Sequence, residues 1–236
     1  MSDTIRNRPL AAVRRDEEEG GKRNLLYNWI QIVVLSIFLA LILRAYIFQA
    51  YSVPSQSMEN TLLIGDYILA EKVTYKFRPP MRGEIVIFKY PLNPDKDFIK
   101  RCIAVEGDTV VIRDKVVYVN EVPFPDPPTV KFTDSRLLSG IYSTRDNYGP
   151  KVVPRGKIFV LGDNRDNSQD SRFWGFLPVE NIKARPLFVY FSWAPDPNAP
   201  EWSSPLSIIP IIFYNITHFP SRVRWSRIFK PMNSRM

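Results

Sequence analysis

The chain has 236 residues, with 32 Lys and Arg against 24 Asp and Glu for a net charge of +8, a length that holds one sizeable domain and an anchor. Its single cysteine, Cys102, excludes an intramolecular disulfide, and with one histidine, His218, a zinc site built on several His and Cys ligands is excluded too. Twenty-one prolines against 10 glycines argue for short strands and stiff loops, and the basic balance, without zinc-finger spacing or an RNA-binding signature, points to an anionic membrane surface rather than nucleic acid.

Residues 1–23 read as an unstructured cytoplasmic tail. Asn24 to Leu43, NLLYNWIQIVVLSIFLALIL, carries no charge and as a helix of about 20 residues spans roughly 30 Å, a bilayer core. A cleavable signal peptide has a shorter apolar region, about 7–15 residues, and no small-x-small site follows this run, so 24–47 is predicted as an uncleaved transmembrane signal anchor. Arg6, Arg8, Arg14, Arg15, Lys22 and Arg23 precede it and only Arg44 follows closely. The positive-inside rule then leaves the N-terminus in the cytoplasm and the rest outside, periplasmic or extracytoplasmic, as a single-pass protein of the cell (inner) membrane.

From about Tyr51 the pattern turns to short β-rich runs. Strands are predicted at Tyr67–Lys72, Glu84–Tyr90, Phe98–Val105, Thr109–Ile112, Val116–Asn120, Lys157–Leu161 and Pro186–Phe191, separated by turns such as Pro79-Pro80, Pro91 to Pro94 and Gly107-Asp108. With no convincing long helix beyond the anchor, the expected fold is mainly β, with antiparallel sheets forming a partly open, barrel-like domain over 48–108 and 156–195. Residues 109–155 read as a small inserted β/loop cap, irregular and proline-rich from 121 on, and 196–236 as a basic, aromatic C-terminal extension.

Three segments could carry chemistry. Ser55 and Ser57, in Val53-Pro54-Ser55-Gln56-Ser57-Met58, lie at i and i+2 and share one side of an extended chain; one hydroxyl could attack while the other steadies an oxyanion. Alone, the segment reads first as a linker. In Asp97-Phe98-Ile99-Lys100-Arg101-Cys102-Ile103-Ala104-Val105, period two puts Lys100 on one face with Phe98, Cys102 and Ala104. Burial there lowers a lysine from its usual pKa of about 10.4, and a neutral amine can act as a base; a snorkelling edge lysine fits the same pattern. Cys102, among apolar neighbours, reads as an inert buried thiol. The third segment, Gly162 to Arg172, fails as a calcium loop. From Asp166 its sixth position is Ser171 and its twelfth Leu177, where Gly and Glu are needed. It reads as a network of carboxylates, amides and arginines. His218 is the only imidazole and lies in the C-terminal extension, so it is an unpromising base for a Ser-His-Asp triad.

Together these motifs resemble type I signal peptidase: Pro54-Ser55-Gln56-Ser57-Met58 after an anchor, then Arg82-Gly83-Glu84-Ile85-Val86-Ile87-Phe88-Lys89-Tyr90-Pro91, then Lys100-Arg101, then Gly162-Asp163-Asn164-Arg165-Asp166-Asn167-Ser168-Gln169-Asp170-Ser171-Arg172. The resemblance covers roughly 48–108 and 156–186. It implies a serine endopeptidase that removes signal peptides from exported preproteins, with Ser57 as nucleophile and Lys100 as general base. Ser55 would steady the oxyanion beside the Ser57 N–H, and Ser168 would hydrogen-bond the Lys100 amine. Asp170 and Arg172 would pair near the site, with Asp163 supporting the loop. Val53, Pro54, Met58, Leu62 and Ile99 would line shallow pockets for Ala-x-Ala-like sites. Gln56 stands where the family often has a small residue, and the cap is short and lacks a disulfide. The partners implied are signal peptides and the lipid bilayer; no cofactor, metal or nucleic acid is called for. Two other readings stay open: a self-cleaving Ser/Lys repressor, which would need a DNA-binding domain in place of the span, and a catalytically silent, membrane-tethered β-module that binds exported chains.

Overall fold

A computed structural model describes residues 10–232, with side chains from residue 27 on. It divides into two compact units, Met1–Ile47 and Phe48–Met236. The first is one helix, Leu10–Tyr46, whose stretch Tyr27–Tyr46 is long and apolar enough to cross a membrane. The helix thus starts inside the tail for which no structure was expected. Ala, Arg and Glu dominate residues 11–19, all strong helix formers, and the apolar run supplies the costly nucleus. The first nine residues of that tail lie outside the described ones.

The second unit is mainly antiparallel β. Its strands are β1 (Phe48–Ser52), β2 (Asp66–Glu71), β3 (Ile85–Tyr90), β4 (Asn93–Ala104), β5 (Thr109–Arg113), β6 (Val116–Val119), β7 (Val122–Pro123), β8 (Tyr148–Val152), β9 (Lys157–Leu161), β10 (Leu177–Pro178), β11 (Ile182–Ser192) and β12 (Lys230–Pro231). The larger sheet runs β1-β2-β11-β3-β4-β9-β10, with β12 beside β11, and the smaller β7-β6-β5-β8. Neither closes into a barrel. Ile103, Val110, Phe159 and Leu161 belong to the core that links the two sheets.

All seven predicted strands are present, Lys157–Leu161 with the predicted ends and the others with one or both ends shifted. β4 begins at Asn93, inside the predicted turn at Pro91 to Pro94, because Tyr90 pairs with Asn93 across a register shift. β11 runs well beyond Pro186, and the ladder breaks register between Pro186 and Phe188, where a residue without an N–H is tolerated at a bulge. β1 and β8 escaped the sequence reading. β1 directly follows the apolar helix, and β8 is exposed beyond Tyr148, so neither shows clean alternation.

The C-terminal extension contains a further element that was not expected, the helix Ile208–Thr217. Pro210 obscures it in the sequence, yet it falls in the first turn, where a missing N–H costs nothing. The extension is also stitched into the domain. Met232 is buried with Met58, Leu62, Ile68 and Val189, and Arg227 Nη2 donates to Asp66 Oδ2 at 2.5 Å.

Candidate active site

Ser57 sits in a tight turn after β1. Met58 and Leu62, four residues apart, plunge into the core with Val53 and Ile85, and the Leu62 N–H closes the turn on the Met58 carbonyl at 2.7 Å. Anchored on both sides by apolar burial, the serine is left half-buried at the surface of the turn. Its hydroxyl lies 3.2 Å from that of Ser55, which is exposed. Among the described residues, nothing accepts from the Ser57 N–H.

Lys100 comes from β4, 43 residues away in sequence, and its Nζ meets Ser57 Oγ at 2.5 Å. The strand is covered on both faces here, so neighbours that point in opposite directions are both buried. The Lys100 side chain is only 3% exposed, with its amine 5.3 Å from the centre of the Phe98 ring. Burial pushes its pKa down to about 8; Asp170 and Asp163 oppose that shift and Arg172 adds to it.

Arg101 points the other way, into a buried pair with Asp163. Nε and Nη2 donate to the two carboxylate oxygens at 2.8 and 2.6 Å, and Nη1 donates to the Gly83 carbonyl. Thr61, at the end of the Ser57 turn, donates its hydroxyl to the same carboxylate at 2.5 Å. The turn is thereby tied to β4 through Asp163. Asp170 takes Nε and Nη2 of Arg172, both at 2.8 Å, and accepts the Gly162 N–H. The Asn164 N–H donates to the Ser57 carbonyl at 3.1 Å. Loop 162–172 is therefore a rigid brace behind the serine.

The hydrogen bond expected from Ser168 to the Lys100 amine is not formed. The Ser168 hydroxyl is buried and has no partner among the described residues. Lys100 instead directs its amine to Ser57, while Ser168 packs against the Gly162 backbone. A Cβ at Gly162 would stand 2.3 Å from Ser168 Oγ and 2.4 Å from the Ser57 carbonyl oxygen, so both lie at the same spot. Gly162→Ala is expected to push the Ser57 turn outward. It should cost about 1–3 kcal/mol of stability, as over-packing does, and slow any Ser57 chemistry, measured by thermal melting beside turnover.

A cleft of about 300 Å³ opens over Ser57, Ser55 and Lys100. Val53, Pro54, Met58, Leu62 and Ile99 all line it, together with Tyr51, Phe98 and Gln169, which the sequence reading did not single out. Asp163, Ser168, Asp170 and Arg172 stand behind the cleft wall. Arg101, Thr61 and Gly162 were also missed. Arg101 carried a signal, as a charged residue in the middle of an apolar strand, and Gly162 opens the 162–172 motif, whereas Thr61 carried none. Cys102 is buried and free, its thiol pushed up by burial. His218 stacks on Tyr214 at the end of the C-terminal helix and does not line the cleft. No cluster of His, Cys, Asp or Glu suited to a metal occurs among the described residues.

Residues 26–193 match the family model described as signal peptidase, peptidase S26. Signal peptidase I of Aquifex aeolicus is 38% identical, over 84% of this chain and 95% of its own length. Signal peptidase I of Pseudomonas aeruginosa is 31% identical, over 79% and 80%. The solved structure of a signal peptidase I from Enterococcus faecalis aligns with 46% of this chain and 97% of its own, at 28% identity and a TM-score of 0.35.

Proposed function

This chain belongs to the signal peptidase family, peptidase S26, and we propose that it is a membrane-anchored serine endopeptidase that removes signal peptides from exported preproteins with Ser57 and Lys100. The observation that carries the reading is the contact between Ser57 Oγ and a buried lysine amine at the floor of an apolar cleft. An amine lowered to about 8 is neutral often enough near neutral pH to take a proton from a serine.

Neutral Lys100 removes the Ser57 proton as Oγ bonds to the scissile carbonyl carbon. The Ser57 N–H and the Ser55 hydroxyl face the oxyanion that forms. The C–N bond then breaks, the Lys100 ammonium gives its proton to the leaving amine, and an acyl-enzyme remains. Neutral again, Lys100 draws a proton from water, which attacks the ester and frees Ser57. Ser168 offers a buried, unpartnered hydroxyl against the Ser57 turn and serves as the lysine's partner once Ser57 is acylated. Val53, Pro54, Met58, Leu62 and Ile99 give the cleft an apolar lining in a small volume, suited to the small side chains of an Ala-x-Ala-like site. The excess of Lys and Arg before Tyr27 supports, by the positive-inside rule, an N-terminus in the cytoplasm and a catalytic domain outside.

The test is incubation of a preprotein with the chain in detergent. The wild-type chain should yield a product whose new N-terminus follows a small residue, and Ser57→Ala should yield none. Equal cleavage by the Ser57→Ala chain would discard the nucleophile, and binding of the preprotein without cleavage by the wild type would favour a silent β-module.

A further inference from the structure

The loop behind Ser57 reaches it through Asn164, which is 1% exposed. The Asn164 N–H donates to the Ser57 carbonyl at 3.1 Å. Its Nδ2 donates to the Gln56 carbonyl and to Glu59 Oε2, both at 3.2 Å. Those two partners can only accept, so the amide nitrogen has to face the turn. Oδ1 is left buried and, among the described residues, without a partner. An unpaired buried acceptor is costly, yet reversing the amide would set that oxygen against two other acceptors.

The Gln56 carbonyl and the Ser57 N–H belong to one peptide group. A trans peptide is planar, with its C=O and N–H pointing opposite ways. A hold on the Gln56 carbonyl therefore fixes where the Ser57 N–H points. The Glu59 N–H also donates to that carbonyl, at 3.0 Å, but it lies in the same turn and moves with it. Asn164 grips from outside the turn, on the carbonyls of two consecutive residues. The cap in turn holds Asn164. Lys131 forms a parallel bridge with it: the Lys131 N–H donates to the Asp163 carbonyl at 2.9 Å, and the Lys131 carbonyl accepts the Arg165 N–H at 3.0 Å. Lys131 Nζ lies 2.9 Å from Glu59 Oε2, the same oxygen that Asn164 reaches.

We propose that Asn164 is a positioning residue: its side chain aims the Ser57 N–H at the oxyanion of the peptidase reaction set out above, on which this role rests. Asn164 does not line the cleft and touches no reacting atom, so it acts through the peptide it holds. An oxyanion donor stabilises the transition state only when it is aimed before the charge develops, and a small misplacement is enough to lose much of the rate.

The experiment reads the peptide group and the kinetics separately. Gln56-Ser57 is the only Gln-Ser pair in the chain, so carbonyl-labelled ¹³C glutamine with ¹⁵N serine gives one amide signal, that of Ser57, from the full chain in detergent. Its order parameter is expected near about 0.85 in the wild type and below about 0.6 in Asn164→Leu. In the same variant kcat should fall about 10- to 100-fold with KM within about twofold, the mark of a loss felt only in the transition state. The rise of rate through about pH 8 should stay where it is, since Lys100 keeps its own surroundings. Should the leucine variant not fold, Asn164→Ser, too short to reach the Gln56 carbonyl, takes its place. A Ser57 amide as ordered in the variant as in the wild type, an unchanged kcat, or a loss confined to KM would overturn the proposal and leave the peptidase reading standing. A wild-type chain that cleaves no preprotein would discard that reading and this role with it.

Discussion

Lys100→Met is expected to reduce cleavage by at least about 10⁴-fold, as loss of a catalytic base does, while making the domain more stable. Methionine fills the same space without a charge, and the lysine it replaces is almost completely buried. In the unfolded chain the amine titrates near 10.4; in the folded one burial pushes it down to about 8. Between those values the unfolded state holds a proton that the folded state has lost, so stability rises with pH across that window, and below about 8 the full penalty applies. One pKa unit corresponds to about 1.4 kcal/mol, so the penalty at neutral pH is on the order of 3 kcal/mol. Lys100→Met should recover much of it and flatten the rise. The same titration sets the rate: kcat/KM for a short peptide should climb through about pH 8 and then level. Denaturation and kinetics across pH check both halves. A rate that starts to rise only near pH 10, or a methionine variant no more stable than the wild type, would mean that the lysine is not desolvated.

Breaking the Arg101–Asp163 pair is expected to cost about 3–5 kcal/mol, because either single change strands a buried charge. Both side chains are almost wholly inaccessible. Asp163→Ala also removes the carboxylate through which Thr61 ties the Ser57 turn to β4, so activity should fall further than a stability loss elsewhere would make it. Arg101→Lys should fail to rescue, since a single ammonium cannot reproduce three donors aimed at two carboxylate oxygens and the Gly83 carbonyl. The double variant Arg101→Leu/Asp163→Leu should be more stable than either single leucine variant. Chemical denaturation of the four proteins closes the cycle, and strictly additive losses would show that the pair is not energetically coupled.

The gap between sequence and structure follows from how far each signal reaches along the chain. Strands such as β3 and β9 were legible because each is a short apolar run between turn residues. β8 was not, because four of its five residues are exposed. The Ile208–Thr217 helix was hidden for a related reason: its apolar residues do not face a core, so its pattern did not read as that of a packed helix.

By itself, the sequence determined an apolar run long enough for a membrane, a β-rich domain after it, and the motifs that mark Ser55, Ser57, Lys100 and the 162–172 loop as a set. These are properties of consecutive residues, of their hydropathy, period and order. Only the tertiary structure decided that β4 is covered on both faces, so that Lys100 and Arg101, adjacent in the chain, are buried in opposite directions, one against Ser57 and the other against Asp163. It alone placed Gly162 where no side chain fits, left Ser168 without a partner, and turned an apolar helix outward. The physical reason is common to all of them: burial, pKa and close approach depend on what lies across space, and those neighbours come from segments as much as about a hundred residues away or more.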